Sequence, residues 1–129
     1  MALSEDDYKR QVVNAQKVVD GLLKDQPGKA LSEALKSAPF GATTKETKDQ
    51  AASLVLKAAT AFKDAEIKKV AETSLSEEER CALMKYLYRF WNMGLPAKTN
   101  ALLFSWHAAL IESSGQSIIA SAIFDAGDP

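Results

Sequence analysis

A chain of 129 residues, 47% hydrophobic and 26% charged, has the make-up of one ordinary globular domain and can bury a real core without staples. Its 16 basic and 17 acidic side chains leave a net charge of −1, so there is no electrostatic footprint for a phosphate backbone and nucleic-acid binding is disfavoured. The single cysteine, Cys81, excludes an internal disulfide; the acidic residues 5–7 do not read as a signal peptide, and no apolar run approaches the ~18 residues of a membrane span, so the expected location is cytoplasmic.

Strand patterns are nearly absent, and helical spacing recurs along the whole chain. The first helix is expected over residues 5–25. Ser4 caps it with Asp7 as the reciprocal partner, and Tyr8, Val12, Ala15, Val19 and Leu22 form one apolar stripe. Pro27 and Gly28 break the chain. A short second helix carries Ala30, Leu31, Ala34 and Leu35, and ends at Pro39, Phe40 and Gly41. The third helix spans 44–62; its second half is apolar nearly all round and belongs in the middle of a domain. A short fourth helix holds Ala65, Ile67, Val70 and Ala71.

Ser76, Glu77, Glu78 and Glu79 form the clearest capping box, reading as a solvated helix start. The fifth helix has Glu78, Lys85 and Arg89 on a polar face, with Leu83, Met84, Leu87, Tyr88 and Trp91 on the apolar one. Gly94 and Pro96 stop it. The sixth helix, 96–112, has only Lys98, Ser105 and Glu112 as a polar line, and Gly115 separates it from a last helix over 116–124. The expected fold is all-α: a single compact domain of about seven short helices around a central hydrophobic helix, packed about the third and sixth helices. Residues 1–28 read as an N-terminal helix or extension, 29–124 as the helical core and 125–129 as a disordered tail.

Catalytic chemistry is hard to find. The only histidine, His107, sits in apolar company and reads as a core residue bonded to backbone. Cys81, beside Arg80, reads as a small hydrophobe under the fifth helix rather than an activated thiol. Zinc, calcium and phosphate-loop patterns are missing, so no metal or cofactor is expected. The aromatic cluster of Tyr86, Tyr88, Phe90, Trp91, Phe104 and Trp106 reads as core packing, with a ligand pocket as the less favoured alternative. An enzyme is therefore disfavoured, and the open readings are a structural subunit or a free-standing helical module for an apolar ligand or a partner helix.

Three stretches carry a resemblance: residues 48–57 followed by Phe62 and Lys63; residues 83–90; and residues 102–107 with 115–119 behind them. In that order and spacing they resemble the subunit 5 family of the actin-related protein 2/3 complex, over about residues 29–124. The resemblance implies a non-catalytic helical subunit of an assembly that nucleates branched actin filaments. It further implies contacts with subunit 4 and the WD-repeat subunit 1, and an N-terminal extension toward the actin-related protein 2 subunit. Here residues 8–23 read as a regular helix instead of that extension, and the chain end is acidic where the family implies basic character.

Between Trp91 and Phe124 the only charged residues are Lys98 and Glu112. Free surfaces carry Lys and Glu, whereas interface centres are depleted in them and enriched in aromatics and Met. The candidate partner-binding residues are therefore Phe90, Trp91, Met93, Ser117, Ser121 and Phe124, with Ile119, Ala122 and Ile123 facing inward.

Overall fold

The computed structural model describes residues 4–38 and 44–124, with backbone only at positions 121, 123 and 124. Seven α-helices make up the ordered elements among them: α1 (Glu5–Leu22), α2 (Pro27–Lys36), α3 (Lys45–Ala59), α4 (Asp64–Thr73), α5 (Glu77–Trp91), α6 (Ala97–Ser114) and α7 (Ser117–Phe124). The expected turn after α2 at residues 39–41, and the tail at 125–129, lie outside the described residues.

The helix starts follow the sequence closely. Ser4 Oγ accepts from the Asp7 N–H at 3.1 Å while Asp7 Oδ2 accepts from the Ser4 N–H at 3.2 Å. The Ser76–Glu79 pair repeats this box at 3.2 and 2.9 Å. Both satisfy donors that a helix start otherwise leaves open. Pro27 occupies the first turn of α2, where its missing N–H costs nothing. Gly28 beside it is a close-approach residue: a Cβ there would lie 2.7 Å from Ser74 Oγ at the end of α4. Gly115 ends α6 at φ 81°, a left-handed conformation in which any other residue is strained.

Two helix groups share one core. The helices α1, α2 and α3 pack mutually, as do α4 with α6 and α5 with α6 and α7. The expected stripe of α1 is buried at Val12, Ala15 and Val19 and half-buried at Tyr8 and Leu22. At the centre stands α5, which packs against α2, α3, α6 and α7 and fully buries Leu83, Met84, Tyr86, Leu87 and Phe90. It takes the central place that the sequence assigns to α3 and α6. The physical reason is coverage: α6 packs against α4, α5 and α7 yet keeps one strip exposed along Ala97, Ala101, Phe104 and Ala108. The apolar half of α3 is buried as expected, with Ser53 and Lys57 outward.

Polar cross-links fix the groups to each other. Trp106 Nε1 donates to the Ala59 carbonyl at 2.8 Å, in a fully buried position edge-on to Phe62. Arg89 donates to the Lys48 carbonyl at 3.3 Å and to the Asp49 carboxylate, joining α5 to α3. Glu79 is not solvated, contrary to the sequence reading. It is only 7% exposed, and its Oε2 accepts from Ser32 Oγ at 2.6 Å, locking α5 to α2. A buried carboxylate held by two hydrogen bonds is tolerable where an unpaired one is not.

Candidate protein interface

The aromatic residues of the second half divide into two sets. Tyr86, Phe90 and Trp106 are fully buried, and Tyr86 stacks on Phe90 with ring centroids 5.8 Å apart. Burial holds the Tyr86 phenol well above its ordinary pKa, so it stays neutral. These residues are core. Phe90 therefore leaves the list of partner-facing candidates: at 0% exposure it points from α5 into the bundle, and its neighbour Trp91 is the one turned outward.

The second set lies on the outer side of α5 and α6. Trp91 is half-buried and stacks against Phe104, with centroids 5.1 Å apart and planes 27° from parallel. Phe104 is 62% exposed, the most exposed large hydrophobic residue among those described. His107 and Tyr88 complete the group. The His107 ring lies 5.4 Å from Trp91 and 6.1 Å from Tyr88, and its Nε2 is 3.4 Å from Tyr88 Oη. His107 is thus half-buried at the edge of a surface aromatic cluster, not a backbone-bonded core residue. The Trp91 Nε1–H is buried with no acceptor among the described residues. Met93, at 50% exposure, extends the apolar surface past the end of α5.

The remaining candidates are less informative. Ser117 is exposed, the side chains of Ser121 and Phe124 lie outside the described residues, and Ile119 and Ala122 pack against the core as expected. Phe104 is the residue that sequence reasoning missed. Its signal is positional: it sits on the side of α6 turned away from Leu103, Trp106 and Leu110, on a helix with only a narrow polar line.

The chemistry available elsewhere is slight. Among the described residues no three His, Cys, Asp or Glu side chains come together as a metal site. No helix of the described residues is long and apolar enough to cross a membrane. Cys81 is half-buried against the core. A groove of about 650 Å³ between α1 and α3 is lined largely by polar side chains, including Gln16, Lys45, Asp49, Gln50 and Lys57.

The family described as "ARP2/3 complex 16 kDa subunit (p16-Arc)" matches residues 2–127. The chain belongs to the p16-Arc family. Among curated relatives, actin-related protein 2/3 complex subunit 5 of Dictyostelium discoideum is 34% identical over 122 residues, covering 93% of this chain and 85% of the relative. The probable subunit 5 of Caenorhabditis elegans is 32% identical over 106 residues, covering 82% and 72%. Subunit 5-C of Xenopus laevis is 35% identical over 86 residues, covering 67% and 56%. The stretches that carry the p16-Arc resemblance fall on α3, α5, α6 and the start of α7, the helices whose buried faces meet in the core.

Proposed function

We propose that this chain is a non-catalytic structural subunit of an actin-related protein 2/3 complex, the assembly that nucleates branched actin filaments. The observation that carries the reading is the p16-Arc match over residues 2–127, joined by relatives named subunit 5 that are about a third identical over most of the chain. The surface aromatic cluster on a charge-poor face supports it, since a helical subunit has to present apolar area to its neighbours. The partners are other subunits of the complex, subunit 4 and the WD-repeat subunit 1; a contact with the actin-related protein 2 subunit would not run through residues 5–22, which form α1 and pack on α2 and α3. Its place is the cytoplasmic actin cytoskeleton. His107 and Cys81 take no part in chemistry on this reading: the histidine meets the Trp91 and Tyr88 rings and the Tyr88 phenol, and the thiol packs against the core.

The free-standing module for an apolar ligand is not favoured, because the α1–α3 groove is open and its walls carry Lys45, Glu46, Asp49 and Lys57. The test is affinity purification of the tagged chain from its own cells, with actin-assembly assays after its depletion. Co-purification with actin-related proteins in fixed proportion and loss of branched nucleation on depletion are expected. Recovery of the chain alone, with nucleation unchanged, would overturn the proposal.

A further inference from the structure

The open strip of α6 has a shape of its own. Ala97, Ala101, Phe104 and Ala108 are all exposed, and their spacing of 4, 3 and 4 places them within about 60° of arc on one helix face. The core residues Leu103, Trp106 and Leu110 occupy the opposite face. The flanks of the strip are already taken up within the chain. On the α4 side Ser105 donates to the Asp64 carboxylate and Lys68 pairs with Glu112 at 2.7 Å, which raises the Lys68 pKa. On the α5 side lies the Trp91 and His107 cluster.

We propose that this strip is the seat of an α-helix from a neighbouring subunit, one that offers an apolar face with a gap for the Phe104 ring. The inference rests on the subunit reading above and names the surface that it uses. Three features select a helix. The row of alanines lets a second helix axis approach to about 8 Å, the close end of helix packing. Phe104 is the single knob, held against Trp91 before any partner arrives, so little side-chain freedom is lost on docking. The backbone of α6 is occupied by its own helical hydrogen bonds, so it offers no edge on which an extended strand could add. The strip itself carries no charge, so the facing helix must be apolar there as well.

Size selects a partner subunit over a second copy of the chain. The strip spans eleven residue steps, about 16 Å by roughly 10 Å. That falls far short of the roughly 800 Å² per partner of a stable free-standing pair. It suits one contact among several in a larger assembly.

The test is reconstitution of the complex with the full chain, the affinity tag on another subunit. Ala101→Lys and Phe104→Glu alter exposed positions and should leave the isolated fold intact, while forcing an unpaired charge into the contact and weakening incorporation by about 100-fold or more. Val18→Lys, on the exposed side of α1, should incorporate like the wild type. A photo-crosslinking residue at position 108 should mark one neighbouring subunit at positions three and four apart. If the wild type enters the complex and both charged variants enter equally well, the face is wrong and the subunit reading stands. Adducts on a strand, a loop or a second copy likewise overturn the helix assignment. If the wild type itself is not retained, the subunit reading falls first.

Discussion

Arg80 provides the sharpest test of how the helix ends are held. Its side chain is only 15% exposed. From one guanidinium it donates to the Leu75 carbonyl at 2.7 Å, the Ala71 carbonyl at 3.2 Å, Ser114 Oγ at 2.6 Å and the Glu77 carboxylate at 2.8 Å. The two carbonyls belong to the end of α4 and the link that follows, where the helical ladder runs out of donors. Arg80→Met keeps most of the apolar stem and removes all four bonds. A hydrogen bond to a charged group contributes about 1.5–3 kcal/mol, and a buried carbonyl left unmet costs about 1–3 kcal/mol. The exposed Glu77 contact adds little, and the four are not additive because one side chain makes them all. The expected loss is therefore about 3 kcal/mol. With a urea slope of about 1–3 kcal/mol/M, the unfolding midpoint should fall by about 1–3 M at unchanged slope. Arg80→Lys keeps the charge but cannot span the acceptors, and should lose about half as much. Arg10→Met, at a pair 3.9 Å apart on the open surface, should change stability by less than about 0.5 kcal/mol. An Arg80→Met midpoint within 0.5 M of the wild type would refute the view that this side chain caps α4.

Two further outcomes follow from the same contacts. Phe90→Ala should cost about 3–5 kcal/mol, the range for a fully buried aromatic, whereas Phe104→Ala should cost under about 1 kcal/mol; comparable losses in thermal unfolding would reverse the division of the aromatics into core and surface. The Glu77 carboxyl sits below its ordinary value of 4.5, first because Arg80 and then because Ser114 hydrogen-bonds the ionised form. Its contribution to stability is complete above about pH 4.5 and is lost as pH falls through the lower folded-state value, so Glu77→Gln should lower stability slightly at neutral pH, meet the wild type in acid and so flatten part of the acid limb of a stability profile.

Local signals were readable wherever one residue settles a local question. Ser4 with Asp7 and Ser76 with Glu79 announce helix starts, and Pro27 and Gly115 mark boundaries, because capping and backbone strain act over three or four residues. The α1 stripe was equally legible. What spacing alone could not rank was depth. Both α3 and α6 look buried by composition, yet the helix with neighbours on four sides is the amphipathic α5, and that depends on how distant segments meet. The same limit explains Glu79, which reads as one of three solvated glutamates until Ser32, 47 positions away, arrives to hold it. It explains Phe90 and Trp91 too: adjacency says that one turns outward, and only packing says which. The alanines of α6 look like core because alanine is indifferent to exposure, so an interface strip built from them leaves almost no compositional trace.

The unequal settings of the two indoles make the molecule its own optical reporter. Trp106 is sealed in the core with its N–H on a carbonyl, so its emission follows the integrity of the bundle and is indifferent to what docks outside. Trp91 sits half in water between Phe104 and His107, at the margin of the open strip of α6, where an arriving neighbour changes its solvent shell before anything else. A chain in which Trp91 is replaced therefore reads folding through Trp106 alone, and the part of the wild-type signal that this chain lacks belongs to the surface indole. Assembly and unfolding, which are usually confounded in small subunits, become separable by comparing the two chains without an attached dye.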